Sequence, residues 1–289
     1  LVRELYDFYC YGGIYRTIEL HELPGIALDR AQVVTSDLAA GKVDVTLLLR
    51  GVADGDRIEI SYHFDDENEK TLTREVKDGK IAFNDTLADK TAWSCENPAL
   101  HTLEISCGGD TLVERFGLRV VSTEKGKILL NGKAVKLFGF NRHESHPEFG
   151  ATQPLPLVLE DLDILKDLGA NFIRGSHYPQ DQRFLDLCDE RGLLVWEETI
   201  GWGDTIKEQS DAHFVALQKE QQKLMVKASF NHPCIIFWSM GNEAGFGNNF
   251  VKAFEWIKEE DPSRPVQYER ALGTDYTEIY CPMYPSYAA

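Results

Sequence analysis

The sequence predicts a multidomain β plus α/β protein, in which a β-sandwich is followed by a barrel of alternating parallel strands and helices. Three observations lead to this prediction. Short alternating strands, without a helical period, fill the roughly 95 residues between 26 and 121. From residue 122 onward, apolar strands alternate with amphipathic helices, which is typical of a parallel sheet. Polar side chains follow each of these apolar strands, at the ends where (β/α)8 barrels carry their chemistry.

The composition limits the classes of partner. The chain has 289 residues, of which 43% are hydrophobic, enough for more than one domain with a sizeable core. Its net charge of −17 argues against nucleic acid and anionic membranes, because both would repel it. No apolar run approaches the roughly 20 residues that span a bilayer, so we expect no membrane association.

Cysteine usage and the first residues bear on location. The six cysteines are scattered, without a CxxC pair, which favours a reducing compartment and a cytoplasmic location. The sequence starts at Leu1 without an initiator methionine or a signal-peptide pattern. We therefore expect a piece of a longer parent, and secretion stays open as an alternative.

Two predicted domains precede the barrel. Residues 1–26 are aromatic-rich and strand-like, and they end at Pro24-Gly25, so we expect the last strands of a domain that begins earlier. Residues 27–121 contain strands such as Lys42–Leu49 and Arg57–Phe64 at the intervals of an immunoglobulin-like sandwich. Their charges are spread over strand faces, and nothing there indicates a catalytic site.

Residues 122–289 form the predicted barrel domain, which opens with a hairpin around Asn131-Gly132. Six strands are predicted, at Lys136–Asn141, Asn171–Arg174, Leu193–Glu198, Cys234–Met240, Val266–Tyr268 and Glu278–Tyr284. The helices between them are predicted at Leu155–Leu168, Phe184–Arg191 and Ser210–Phe230, with another from about Gly247. An eight-stranded barrel needs two more strands, so the barrel is incomplete in this chain.

The polar strand ends predict a site for a polyhydroxylated ligand and a reaction that uses carboxylates. They include Asn141 to Glu144, Arg174 to Tyr178, Glu197, Glu198, Asn242, Glu243, Glu269 and Tyr284. From the residues alone, Glu243 could instead cap the following helix, and His177 could be a buried structural histidine. The stretch from His143 to His146 has the wrong spacing for a zinc-binding HExxH helix, and Pro147 follows it.

Two long motifs resemble the signatures of glycoside hydrolase family 2. They are Asn171–Pro179, with Asp189 and Gly192–Trp196, and Asn231–Glu243. Further segments are most similar to the family's β-galactosidases: Asp7-Phe8, Tyr11–Arg16, Phe140–Glu144, Gly241–Gly247, Asp261–Glu269 and Cys281–Tyr284. The resemblance spans the whole chain. It implies the end of a jelly-roll sugar-binding domain over 1–26, an immunoglobulin-like domain over 27–121 and a truncated TIM barrel over 122–289.

The resemblance also implies an activity and roles for individual residues. The expected activity is retaining exo-hydrolysis of terminal β-D-galactosides, with Glu243 as the general acid/base. Asn242 would hydrogen-bond the sugar 2-hydroxyl, and His143 and His177 would contact the galactoside near the departing bond. The alternatives are a β-glucuronidase, another family 2 glycosidase, or a sugar-binding fragment without turnover.

Two departures from the family's pattern affect the remaining roles. Arg174 and Tyr284 would hold the family's nucleophile and control protonation around it. This nucleophile is a glutamate after the seventh strand, but this chain stops at Ala289. Retaining hydrolysis needs two carboxyl groups roughly 5 Å apart, so we place the nucleophile beyond this chain.

Many β-galactosidases bind magnesium through a Glu and a His after the third strand. Residues 199–203 contain neither, so we predict no metal and no other cofactor. The expected partners are a β-galactoside or another small saccharide and further copies of the parent.

Overall fold

The computed structural model describes residues 9, 11–199, 210–284 and 286, which divide into two compact units. The sandwich unit consists of Ile18–Val120 and Phe230–Pro233. The barrel unit consists of the described residues of Leu1–Thr17, Val121–Ser229 and Cys234–Ala289. No helix in the described part of the chain is long and apolar enough to cross a membrane.

The sandwich unit contains seven antiparallel strands in two sheets. They are β1 (Ala27–Asp37), β2 (Lys42–Arg50), β3 (Arg57–Phe64), β4 (Lys70–Glu75), β5 (Lys80–Thr86), β6 (His101–Cys107) and β7 (Asp110–Phe116). One sheet has the order β1-β2-β5 and the other β4-β3-β6-β7. Alternate residues of β2, from Val43 to Leu49, are buried in a core that also contains Ile60 and Phe64. Because the side chains alternate, one apolar face of each strand packs against the other sheet, as the sequence predicts.

A three-stranded antiparallel sheet opens the barrel unit. Its strands are β8 (Val121–Glu124), β9 (Lys127–Leu130) and β10 (Lys133–Val135), with β9 in the centre. Leu130 pairs with Lys133 across a two-residue turn, in which Asn131 and Gly132 have φ of 53° and 76°. Positive φ at both positions is the requirement of a type I′ turn, which explains the Asn-Gly sequence.

Within the described residues, the barrel sheet contains five parallel strands in sequence order. They are β11 (Gly139–Arg142), β12 (Phe172–Gly175), β13 (Leu194–Glu198), β14 (Ile235–Ser239) and β15 (Val266–Gln267). The helices are α1 (Leu155–Asp167), α2 (Gln182–Arg191), α3 (Ala212–Ser229) and α4 (Asn248–Glu260). Every residue of β13 and β14 is buried, as expected for strands covered on both faces. The parallel order places the carboxyl ends of all five strands at one rim.

Two predicted strand regions are not observed. The described residues of Glu278–Tyr284 form bends and irregular structure, so the prediction of a sixth strand is wrong. The neighbouring strand β15 has only two residues, and Pro282 lacks an N–H, so little backbone is available for a ladder. Residues 11–25 also contain no strand, because an extended segment becomes one only beside a hydrogen-bonding neighbour.

Candidate active site

Arg174 joins the carboxyl ends of four barrel strands. It lies on β12, and its guanidinium donates to Asn242 Oδ1 at 2.7 Å and to Glu198 Oε1 at 3.0 Å. A longer hydrogen bond of 3.4 Å joins the guanidinium to Asn141 Oδ1. Asn141 is the residue of β11 that pairs in register with Arg174. Beneath the guanidinium, the ring of Trp196 lies 4.7 Å from its carbon, which favours the cation further. The strand register therefore places these groups in one cluster.

Glu198 is the buried anion of this cluster. Its carboxylate is completely buried, and besides Arg174 it contacts His177 Nδ1 at 2.7 Å and Ser239 Oγ at 2.8 Å. His177 Nδ1 lies 2.7 Å from Glu198 Oε1 and 3.2 Å from Arg174 Nη2. With its hydrogen on Nδ1, the neutral ring donates to the carboxylate and leaves Nε2 as the acceptor. Glu198 can thus orient both Arg174 and His177 without contacting a ligand itself.

His143 and His177 lie next to each other at the rim. Their ring centroids are 5.3 Å apart, with the rings nearly perpendicular, and the ring of Tyr178 lies 5.9 Å from that of His143. His143 follows β11 and His177 follows β12, so the parallel pairing of these strands brings the two histidines together. His177 is buried and hydrogen-bonded to Glu198 at the strand ends, and its role in binding a ligand stays a prediction.

Glu243 follows β14 in a constrained backbone conformation. Its φ is 47°, in the left-handed region, where a residue other than glycine costs about 1–3 kcal/mol and surrounding contacts must hold it. One such contact is its backbone N–H, which donates to Glu269 Oε1 at 2.7 Å. Gly247, four residues later, is the N-cap of α4, so Glu243 is not the residue that caps this helix.

Two further carboxyl groups, those of Glu269 and Glu197, lie at the same ends of the barrel strands. Burial, and the nearby charge of Glu198, raise the pKa of Glu269. Glu197 is completely buried, and burial raises its pKa well above the ordinary glutamate value. Its Oε1 accepts the backbone N–H of Gln180 at 3.0 Å, whereas no partner is found for Oε2 in the described part of the chain. Both the burial of Glu197 and the lack of a partner for Oε2 among the described residues oppose ionisation of this carboxyl group.

The structure brings together five of the six candidate residues, namely His143, Arg174, His177, Asn242 and Glu243, around the strand ends. Tyr284 is 81% exposed, and its place in the site stays a prediction. In the loop after β13, Thr199 donates its hydroxyl to the carbonyl oxygen of Met240, and residues 200–203, where magnesium ligands would be expected, lie outside the described residues. Ser239, which contacts Glu198, lies within an apolar run, so the sequence gives no local signal for its place in the cluster.

Comparisons with known proteins agree with this architecture. The family model described as the TIM barrel domain of glycosyl hydrolases family 2 matches residues 121–289, and a second one for glycosyl hydrolases family 2 matches residues 27–119. The chain is 34% identical to a β-galactosidase from Lactococcus lactis subsp. lactis, over 96% of this chain and 29% of the relative. It is 32% identical to a β-galactosidase from Vibrio cholerae serotype O1, over 96% of this chain and 30% of the relative.

Solved structures of the same family are also similar. A family 2 β-galacturonidase from Eisenbergiella tayi, bound to galacturonate, has a TM-score of 0.79 and 31% identity, covering 90% of this chain and 49% of that one. The apo β-glucuronidase 3 of Bacteroides uniformis has a TM-score of 0.73 and 27% identity, covering 90% and 35%. This chain spans about 30% of the length of the curated relatives. Because the TIM barrel model alone matches more than half of the sequence, the chain belongs to glycosyl hydrolases family 2.

Proposed function

We propose that the full-length protein containing this chain is a retaining exo-glycosidase that hydrolyses terminal β-D-galactosides, with Glu243 as the general acid/base. The observation that carries the proposal is the Arg174 cluster, which joins Asn242, the residue before Glu243, to the buried anion Glu198. Family membership and the names of the curated relatives support a glycosidase of this kind.

The proposed reaction has two displacement steps. In the first, the glutamate placed beyond this chain attacks the anomeric carbon, and Glu243 donates a proton to the departing glycosidic oxygen. In the second, Glu243 removes a proton from water, which attacks the same carbon and releases the enzyme's carboxylate. Two inversions give net retention. Glu198, fully buried and hydrogen-bonded to Arg174, His177 and Ser239, is a support and not this nucleophile.

The remaining candidate residues have binding roles in this proposal. Asn242 hydrogen-bonds the sugar 2-hydroxyl, where its Oδ1 is already oriented by Arg174. His143 and His177 contact the galactoside near the departing bond, and the hydrogen on His177 Nδ1 directs Nε2 to accept. Arg174 and Tyr284 act around the nucleophile.

A uronidase is the second candidate, because similar solved structures carry that activity in their names. A galacturonide differs from a galactoside only at C6, where a carboxylate replaces a hydroxymethyl group. A uronate carboxylate requires an available cation at the site. Arg174 is already bonded to Glu198, which favours the neutral sugar.

The test compares nitrophenyl β-D-galactoside, β-D-galacturonide, β-D-glucuronide and β-D-mannoside as substrates of the full-length protein. We expect hydrolysis of the galactoside with retention of the anomeric configuration, which NMR of the released sugar measures. Glu243→Gln is expected to slow galactosides with poor leaving groups by about 1,000-fold and activated aryl galactosides far less, because only the former need the proton. Glu259→Gln, on the exposed side of α4, is the matched control. Equal effects of Glu243→Gln on both leaving groups would contradict the acid/base role.

Two further expectations follow from the same proposal. The 289-residue chain alone should hydrolyse the aryl galactoside at most barely, because the proposal assigns the attacking carboxylate to a residue outside it. No divalent ion should bind through Glu243 and the loop after β13, since residues 199–203 offer no carboxylate or imidazole. Activity that survives dialysis against EDTA, without a stoichiometric metal by mass spectrometry, is the expected result.

A further inference from the structure

Arg16 precedes the sandwich in the sequence but contacts the rim of the barrel. Its Nη2 donates to Glu144 Oε2 at 2.6 Å and to the carbonyl oxygen of Pro179 at 2.6 Å. The ring of Tyr11 packs against Gly150, in the loop that follows β11. The approach is so close that a Cβ added at Gly150 would lie 2.9 Å from the ring. We call residues 11–16 the N-terminal segment; it thus contacts the loops that follow β11 and β12.

Glu144 ties these two loops together. Its Oε1 accepts the backbone N–H of Asp181 at 2.6 Å, and its own N–H donates to the hydroxyl of Tyr178 at 2.9 Å. Burial raises the pKa of Tyr178 to about 12, so the phenol keeps its proton. Glu144 adjoins His143 in the first loop, while Tyr178 adjoins His177 in the second. A shift of Glu144 would therefore move both histidines.

Arg16 also supplies charge where two acidic groups are buried. Glu144 is 5% exposed and Glu197 is completely buried. Burial and the charge of Glu144 raise the pKa of Glu197, whereas the charge of Arg16 lowers it. Arg142 faces Glu144 as well, but at 3.5 Å, so Arg16 is the closer cation. A buried carboxylate that loses its partner either moves toward water or takes a proton, and both change its hydrogen bonds.

We propose that Arg16 is a positioning residue for the active site, which holds Glu144 and through it orients the loops carrying His143 and His177. This inference depends on the proposed function, because the sugar-binding roles of the two histidines come from it. Arg16 itself does not contact the sugar. The N-terminal segment is then part of the working site, although it lies more than 100 residues before the barrel strands in sequence.

The first test is the variant Arg16→Met in the full-length protein, assayed with nitrophenyl β-D-galactoside. We expect kcat/KM to fall about 10- to 100-fold, mainly through kcat, because small displacements of positioned groups have effects of that size. Arg16→Lys restores a single charge and should recover part of the loss. Arg50→Met is the matched control, since it removes an exposed arginine that pairs with Asp29 in the sandwich, and should stay within twofold. An unchanged kcat/KM in Arg16→Met would overturn the proposal.

The second test asks whether Arg16 acts through the two histidines. In a background with both His143→Ala and His177→Ala, adding Arg16→Met should lower kcat/KM by less than about threefold, because both residues to be positioned are already lost. Losses that multiply fully would show that Arg16 acts elsewhere and would overturn the proposal. If Arg16→Met fails to fold, Glu144→Gln replaces it, since the amide oxygen still accepts from Asp181 while the charge is gone.

A third measurement separates this inference from the proposed function. Hydrogen exchange of residues 143–150 and 176–182 should be at least about tenfold faster in Arg16→Met than in Arg50→Met, whatever the substrate. A full-length protein that hydrolyses no glycoside would contradict the proposed function, while the exchange rates would still decide the role of Arg16 in holding the loops. Unchanged exchange in both loops would overturn that role even in an active enzyme.

Discussion

The sandwich unit and the barrel unit bury different kinds of side chain. Of the 21 buried polar or charged residues in the described part of the chain, 18 belong to the barrel unit. The sandwich core is a cluster of aliphatic and aromatic residues, and the ion pair of Asp29 with the exposed Arg50 lies at the surface of the unit. In the barrel, Glu198 is 0% exposed, and its partners Arg174, His177 and Ser239 lie at the carboxyl ends of the strands.

This difference separates a unit with an apolar core from one whose buried polar groups surround the proposed site. Apolar burial contributes about 25 cal/mol per Å² and requires no specific partner. Buried ion pairs contribute little net stability, yet removing one partner is strongly destabilising, so they persist where they position groups. The sandwich should therefore respond to substitutions through stability alone, and the barrel rim through activity as well.

The largest expected effect is that of Glu198→Ala in the barrel. Arg174 and His177 lose a common partner, so kcat/KM of the full-length protein should fall at least about 100-fold. The free energy of unfolding of the chain should fall by about 3–5 kcal/mol, because a guanidinium that is only 11% exposed is left without its carboxylate. Urea unfolding and the galactoside assay are the measurements, and Glu198→Gln, which keeps an acceptor oxygen, is the control. Full activity in Glu198→Ala would remove the contrast between the two units.

Ile60→Ala is the corresponding substitution in the sandwich core. Ile60 is 0% exposed, and the cavity should lower the free energy of unfolding by about 2–4 kcal/mol. The kcat and KM of the folded full-length protein should stay within twofold of the parent values. Thr73→Ala, on the exposed face of the neighbouring strand β4, is the control for a change without a cavity. A lowered kcat in Ile60→Ala below its unfolding temperature would contradict the separation.

Glu197→Gln tests, through the pH dependence of stability, whether the raised pKa of the buried Glu197 acts in the barrel. The folded-state pKa of Glu197 is raised above the ordinary value of about 4.3, so above that pH the folded state holds a proton that the unfolded state has lost. Its contribution is therefore complete below pH about 4.3 and falls as pH rises, by at most about 1.4 kcal/mol per pH unit. Glu197→Gln should remove this slope, measured by urea unfolding from pH 5 to 7. Identical slopes in both proteins would show that Glu197 is ionised in the fold.

Asp29→Ala should have the smallest effect. The Asp29–Arg50 pair lies at the surface of the sandwich, where Arg50 is 63% exposed, and such pairs contribute about 0–1 kcal/mol. We expect the free energy of unfolding to change by less than about 1 kcal/mol, and by less still at high salt, because salt screens exposed charges. A loss comparable to that of Glu198→Ala would mean that the sandwich, too, depends on specific ion pairs.

Most of the fold follows from patterns within short stretches of sequence. The strands from β11 to β14 and the four barrel helices lie within a few residues of their predicted positions, because burial period and helix-ending residues are local signals. The Asn131-Gly132 turn is local in the same sense. The strand predicted over Glu278–Tyr284 fails for the opposite reason: a strand depends on the neighbour with which it pairs.

By itself, the sequence determined the order of the β and α/β regions and the residue types at the strand ends, since these depend on residues close together in the chain. Only the tertiary structure decided the partners. Arg16 meets Glu144 across 128 residues, Arg174 meets Asn242 across 68, and Glu198 meets Ser239 across 41. Periodicity states which face of a strand is buried, but hydrogen bonding depends on distances of about 3 Å between atoms that the folded chain alone brings together.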